Sequence, residues 1–256
     1  MSERTGGRIV LALLVTGAVV ALLSVRVLDD LDASPRNDHR LFAFTGTRLA
    51  VVLSGDGRVR LQHGPGDSLA VSRELAGSAA KAGHSSWELT DSTLRLAAEC
   101  TGIPVNCRVD YVVQIPAGTE VTVTSPGSVT AVGMCCPAQI STRTGDITVE
   151  GPLGPLRLSS ESGRIRVREA RSADVAASTR RAPVSLSFSA APSQVVVDSD
   201  VGDISVELPD PPAPYHVSAS GKDGGDVQVE LRDVPSAERS IRARTRDGAV
   251  RILKRK

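Results

Sequence analysis

A turn built on glycine, followed by alternating aliphatic residues, recurs through the second half of this chain and restricts its fold more than any other feature. It reads Thr144-Gly145-Asp146-Ile147-Thr148-Val149, Ser162-Gly163-Arg164-Ile165-Arg166-Val167 and Val201-Gly202-Asp203-Ile204-Ser205-Val206. Further copies are Gly224-Gly225-Asp226-Val227-Gln228-Val229 and Asp247-Gly248-Ala249-Val250-Arg251-Ile252, with degenerate ones at Gly127-Ser128-Val129 and Arg181-Ala182-Pro183-Val184. The first aliphatic residues, Val129, Ile147, Ile165, Val184, Ile204, Val227 and Val250, are spaced 18, 18, 19, 20, 23 and 23 residues apart. A period of this length marks a repeat architecture. A second apolar position often lies seven residues earlier, at Ile140, Leu158, Val197 and Ala243, so each unit is a strand, a turn and a strand.

One such unit cannot bury its apolar face alone, but stacked units align equivalent residues into continuous columns. The spacing therefore predicts an all-β chain, a β-solenoid or β-roll of stacked short strands, with the seven aliphatic anchors as its repeat core. Alternation sends Ile165 and Val167 inward and Arg164, Arg166 and Arg168 outward. It also sets Asp146 and Glu150 beside Arg164 and Arg168 of the next unit, where opposite charges favour the register. Glycine is expected at the corner to supply a positive φ. The interior has little else to draw on: one Trp, two Tyr and three Phe are the only aromatics, so the core is aliphatic.

Before the repeats the patterning is looser. Residues 41–125 carry short alternating runs at Arg48 to Leu53, Arg58 to Leu61, Leu69 to Val71, Thr93 to Leu96, Val109 to Ile115 and Glu120 to Val123, separated by Gly, Pro, Asp or Ser. The Ala-rich stretch Ser72 to Ala82 is broken by Gly77 and Ser78 and reads as a loop. The expected organisation is a cytoplasmic segment 1–8, a transmembrane signal anchor 9–27, a polar tether 28–40, a first β region 41–125 and a repeat region 126–256. The anchor rests on Ile9 to Val25, a run without charge, flanked by Arg4, Arg8 and Arg26. Its length approaches the ~17–25 residues of a spanning helix, and the basic flank favours a cytoplasmic N-terminus. A cleaved signal peptide is the rival reading, but no small-x-small site directly follows.

Export suits the cysteines. Cys100 and Cys107 bracket a short loop with Gly102 and Pro104, whereas Cys135 and Cys136 are adjacent. Four cysteines allow three pairings; Cys100 with Cys107 is favoured, as a loop closure that an oxidising compartment preserves, and the pairing of Cys135 and Cys136 stays open. A zinc site is disfavoured by the long Cys100 to Cys107 interval and the lack of a nearby His.

From Leu41 onward the chain resembles the adhesin-type family of bacterial β-strand-repeat envelope proteins, particularly its actinobacterial members. The likeness is carried by Cys100 and Cys107 leading into Arg108-Val109-Asp110-Tyr111-Val112-Val113-Gln114-Ile115-Pro116-Ala117-Gly118-Thr119, by the Gly-Asp/Arg-Ile-x-Val repeats, by Pro192-Ser193-Gln194-Val195-Val196-Val197 and by Tyr215-His216-Val217. The resemblance implies a β-solenoid outside the membrane with a role in adhesion or envelope sensing, and it brings no catalytic residues and no cofactor. The Cys135-Cys136 pair departs from plainer members.

The residues assemble no nucleophile, base and orienting group. His39, His63, His84 and His216 occur in unlike contexts, and Ser160-Glu161-Ser162-Gly163 lacks the first Gly of a nucleophile elbow. Asp198, Asp200 and Asp203, or Asp223 and Asp226, could suggest calcium, but they occupy turn positions the repeat already needs and match neither the twelve-residue EF-hand loop nor the tandem nonapeptide of calcium-binding β-rolls. A formal charge of +1 argues against a nucleic-acid partner. The basic C-terminus, with Arg251, Lys254, Arg255 and Lys256, could meet an anionic wall polymer or lipid head groups, or simply cap the last unit. Surface display, adhesion or sensing is the leading expectation, on the cell membrane with the C-terminal domain outside and a cell-wall polymer or another envelope protein as partner. A carbohydrate-active enzyme on a β-helix and a scaffold for another envelope protein are the alternatives.

Overall fold

The computed structural model describes residues 34–64, 66–101, 107–209, 214–221 and 226–255. The expected membrane anchor and the start of the tether lie outside these residues, as does Lys256. No helix among the described residues is long and apolar enough to cross a membrane.

The described chain is all-β. Its first half gives strands β1 (Arg36–Phe42), β2 (Arg48–Gly55), β3 (Arg58–His63), β4 (Leu69–Ala76), β5 (Ser85–Thr90), β6 (Thr93–Ala98), β7 (Arg108–Ile115) and β8 (Glu120–Ser125). Then follow β9 (Val129–Val132), β10 (Ala138–Thr142), β11 (Ile147–Glu150), β12 (Leu156–Ser160), β13 (Ile165–Ala170), β14 (Asp174–Thr179) and β15 (Val184–Phe188). The last are β16 (Gln194–Val201), β17 (Ile204–Leu208), β18 (Tyr215–Ser220), β19 (Val227–Val229), β20 (Arg239–Asp247) and β21 (Val250–Lys254). They form two open sheets. The first runs β1-β4-β7-β3-β9-β11-β13-β15-β17-β21-β19 and the second β18-β20-β16-β14-β12-β10-β8-β2-β6-β5. Both are mixed: β1, β4 and β7 pair antiparallel, as do β5 and β6, and the other neighbours are parallel.

Parallel neighbours need a crossover of a dozen or more residues. Here the crossover is itself a strand, laid in the opposite sheet, so each circuit of the chain contributes one strand to each sheet. The sequence period becomes a register: Ile147 pairs with Val129 on one side and Ile165 on the other, then Val184, Ile204 and Val250 follow in line. These six anchors are at most 1 % exposed. Ile140, Leu158, Val197 and Ala243 form a matching buried column in the second sheet, and both columns belong to one core.

At Gly202 and Gly248 the corner glycine has the expected positive φ, 149° and 152°, but the other corners serve a different end. Gly127, Gly145 and Gly163 are not among the glycines with positive φ. A Cβ on Gly163 would instead overlap the backbone of Gly145, one on Gly145 that of Gly127, and one on Gly127 that of Gly57. The corners are glycine because successive circuits bring their main chains into contact there.

Both ends of the stack depart from sequence order. Val129 pairs with Val59, so Gly57-Arg58-Val59-Arg60-Leu61 is a further copy of the motif, separated from the others by an insertion. That insertion holds β4, β5 and the circuit β6 and β7, which stacks on β2 and β3 from the far side. The region 41–125 is thus continuous in sheets and core with the repeats. At the other end, β21 lies between β17 and β19. Val250 therefore stacks on Ile204, and Val227, expected in the core, sits on the outermost strand with 41 % exposure.

The N-terminal end is closed by polar and aromatic groups. The last residues of the expected tether belong to β1, which covers β4, and the expected loop after Ser72 continues β4 to Ala76 before a single 3-10 turn at Gly77–Ala80. Arg73 takes an inward position on β4 and is 6 % exposed. Its guanidinium pairs with Asp38 at 2.7 Å, bonds Ser85 Oγ at 3.3 Å and lies 4.2 Å from the Trp87 ring centre, so one side chain joins β1, β4 and β5. Tyr111 donates its hydroxyl to the Ala97 carbonyl at 3.0 Å, linking the sheets, and burial pushes its phenol up to about 12.

Two substitutions that the repeat alone treats as equivalent should separate. Val250→Ala is expected to cost about 2 kcal/mol or more, and Val227→Ala less than about 0.5 kcal/mol, measured by chemical denaturation. Equal losses would contradict the strand order. Gly163→Ala is expected to cost about 3 kcal/mol, as overpacking against main chain, while Gly66→Ala, with nothing within 4 Å of its Cβ, leaves the unfolding midpoint unchanged.

Candidate functional site

The second sheet presents its outer face as columns, because in-register pairing repeats each position from strand to strand. One outward column reads Thr124, Ser141, Ser159, Ser178, Asp198 and Arg244 across β8, β10, β12, β14, β16 and β20. The next position turns inward at the corner and is a hydroxyl on all six strands: Ser125, Thr142, Ser160, Thr179, Ser199 and Thr245. All six are buried. Beyond them, at the strand ends, come Arg143, Glu161, Arg180, Asp200 and Arg246, alternating in charge, with Arg246 and Asp200 paired at 3.3 Å.

Short serines between longer side chains leave a groove along the stack. Its main stretch has a volume of about 750 Å³, floored by Ser141, Ser159, Ser178 and the corner hydroxyls and edged by Glu161, Arg180, Asp200 and Arg246. A second stretch of about 560 Å³ shares Ser141, Thr142 and Glu161 and extends to Leu53 and Asp56 on the β2 side. Within the floor, Thr142 Oγ1 donates to the Gly145 carbonyl at 2.7 Å and lies 2.9 Å from Ser160 Oγ, which accepts the Gly163 N–H at 2.8 Å. Ser159 Oγ donates to Ser141 Oγ at 3.1 Å, and Thr245 Oγ1 to the Gly202 carbonyl at 2.9 Å. Thr179 Oγ1 and Ser199 Oγ, adjacent in register, have no hydrogen-bond partner among the described residues, and each residue is only 6 % exposed.

The sequence reading did not single out this hydroxyl column. The signal was present, since Thr142, Ser160, Thr179, Ser199 and Thr245 each precede an anchor by five residues. A search for aliphatic periodicity passes over such positions.

The residues that the sequence did single out are dispersed. Cys100 and Cys107 form a disulfide, Cα atoms 5.9 Å apart, beside the N-terminal end. Cys135 and Cys136 are free thiols 3.2 Å apart; Cys135 is exposed and donates its N–H to His63 Nε2, and burial pushes the Cys136 thiol up. His39, His84 and His216 contact Ser72, Thr101 and Asp233 respectively, so the four imidazoles sit in four settings. Glu150 and Arg168 pair across circuits at 3.8 Å as expected from their spacing. Asp146 instead accepts the Arg164 N–H at 2.8 Å, and Asp203 likewise accepts the Ala249 N–H at 2.8 Å, so these carboxylates join the backbones of successive circuits. Among the described residues no group of three His, Cys, Asp or Glu side chains is arranged to hold a metal ion. In the basic C-terminus Arg251 pairs with Asp226 at 3.7 Å and Arg255 with Glu169 at 2.7 Å, while the Lys254 N–H bonds Glu230.

No protein-family model matches the chain, and no curated protein is detectably similar to it. Several solved bacterial structures are similar to it at low identity. A proposed cell adhesion protein of Clostridium sporogenes ATCC 15579 has 12 % identity and a TM-score of 0.39 over 87 % of this chain and 100 % of its own. A proposed lipid binding protein of Parabacteroides distasonis ATCC 8503 has 12 % identity and a TM-score of 0.47, covering 88 % and 98 %. A proposed adhesin of Parabacteroides merdae ATCC 43184 has 10 % identity and a TM-score of 0.43, covering 86 % and 97 %.

Thr142→Val should show what a satisfied corner hydroxyl is worth. It leaves the Gly145 carbonyl and the Ser160 hydroxyl short of a partner and is expected to cost about 1–2 kcal/mol in denaturant unfolding. A neutral result would mean that the hydroxyl column contributes nothing to holding the corners together.

Proposed function

We propose that the chain is a non-enzymatic, extracytoplasmic protein of the bacterial envelope, of the adhesin type found in actinobacteria. In this reading residues 9–27 anchor it in the cell membrane, and the stacked strands are a β-solenoid that displays its outer face for adhesion or for sensing the envelope. The observation that carries the reading is the repetition of that face: the same polar columns run over six successive strands of the second sheet. A repeated, laterally extended surface suits contact with an extended partner, such as a cell-wall polymer or another envelope protein, through many weak interactions at once. The Arg4 and Arg8 flank supports the orientation, and the Cys100–Cys107 disulfide suits an oxidising compartment.

Thiol labelling of intact cells tests the topology on the full chain. After mild reduction a membrane-impermeant maleimide is expected to label Cys135, which is exposed. With Cys135 and Cys136 both changed to Ser, a Ser2→Cys variant should be labelled only once the cells are permeabilised. Labelling of position 2 but not of Cys135 in intact cells would overturn the display reading.

A further inference from the structure

The hydroxyl-floored groove has a chemistry that selects among extended partners. We propose that it is a binding site for a neutral glycan strand lying along the stack axis, perpendicular to the β-strands. This deepens the display reading and rests on it.

The first argument is charge. Among the described residues Glu161, Asp198 and Asp200 face the groove together with Arg180, Arg244 and Arg246, so three carboxylates meet three guanidinium groups with no surplus to attract a polyanion. The second is the kind of donor on offer. The groove lies on a sheet face, where main-chain groups are already engaged in the parallel ladders, so an extended peptide finds no strand edge to join. What the groove offers is side-chain hydroxyls, carboxylates and guanidinium groups, the partners of a vicinal diol. An apolar ligand finds little here: the floor is Ser and Thr throughout its main stretch.

The third argument is spacing. Neighbouring strands lie ~4.8 Å apart, so Ser141, Ser159 and Ser178 repeat a hydroxyl at about the advance of one sugar ring along a chain. From β2 to β18 the sheet spans seven inter-strand steps, roughly 34 Å, enough for several sugar units.

The fourth is an unmet demand. Thr179 Oγ1 and Ser199 Oγ are the two corner hydroxyls without a partner among the described residues, they are neighbours in register, and both residues line the groove. A buried hydroxyl without a hydrogen bond costs a fold stability. Valine, of the same shape as threonine, and alanine, a serine without its hydroxyl, would remove that cost. Because both residues line the groove, a sugar hydroxyl resting on Ser178 and Asp198 is the partner that would satisfy them.

That unmet demand gives the test its discriminating readout. The full chain is purified in detergent, and binding to dextran and to mannan is measured by affinity electrophoresis, with heparin as the polyanionic comparison. Retention by at least one neutral glycan, unchanged on raising salt, is expected. Thr179→Val combined with Ser199→Ala is expected to raise the melting temperature while weakening glycan binding roughly ten- to thirtyfold, the loss of two neutral hydrogen bonds. Asp198→Ala with Arg244→Ala, both exposed, should weaken binding without altering the melting temperature. Wild-type retention by the Thr179/Ser199 variant would overturn the site, as would salt-sensitive retention by heparin alone. Failure to bind any of the three would overturn the glycan proposal and leave the display reading to the labelling result, which is independent of it.

Discussion

At the corners main chain lies against main chain, where Gly57, Gly127, Gly145 and Gly163 stack without side chains between them. Everything else in the repeat depends on that approach. With the corners in contact, each circuit follows the previous one at the spacing of hydrogen-bonded strands, and the pairing stays in register from one circuit to the next. A side chain at Gly127, Gly145 or Gly163 would overlap the main chain of the preceding circuit, whereas Ala182 holds the same position in a circuit whose pairing stays in register. Aspartates reinforce the same junction, since Asp146 and Asp203 each accept a backbone N–H from the neighbouring circuit.

Register then decides what the surface can do. A position repeated by sequence becomes a column in space, so the core is a set of aliphatic columns and the outer face a set of polar ones. The corner hydroxyl column belongs to both. Thr142, Ser160 and Thr245 bond into the turns and stabilise them, whereas Thr179 and Ser199 sit in equivalent places without partners among the described residues. Structure and binding are thus drawn from one repeated position, and only the local hydrogen-bond arrangement distinguishes them.

Much of the fold was legible because aliphatic alternation and glycine spacing are consequences of stacking. The anchors Val129, Ile147, Ile165, Val184, Ile204 and Val250 fall in one column for that reason. Three features were not legible. The exposure of Val227 follows from the last two circuits exchanging order, and nothing in a local motif records which neighbour a strand will choose. The continuation of β4 was hidden by Arg73, whose burial is made favourable by Asp38, Ser85 and Trp87 from other strands, so alternation fails where partners are supplied from a distance. The hairpin joining β5 and β6 turns through Asp91 and Ser92 with φ of 47° and 64°, a conformation usually announced by Asn-Gly. Of the candidate site, the serines were visible and their convergence was not, because a groove is a property of columns side by side.

The order of strands at the C-terminal end is the sharpest consequence of stacking by register. It can be read directly by cross-linking in a chain with Cys135 and Cys136 replaced by Ser. Ser205 pairs with Arg251 in the structure, and Arg251 with Gln228. A Ser205→Cys/Arg251→Cys chain is expected to form a disulfide under mild oxidation, since directly opposed residues lie within the ~4.4–6.8 Å that a disulfide spans, and a Ser205→Cys/Gln228→Cys chain is expected to remain reduced. Cross-linking of the second pair and not the first would mean that the circuits stack in sequence order, contradicting the register on which the core and the groove both stand.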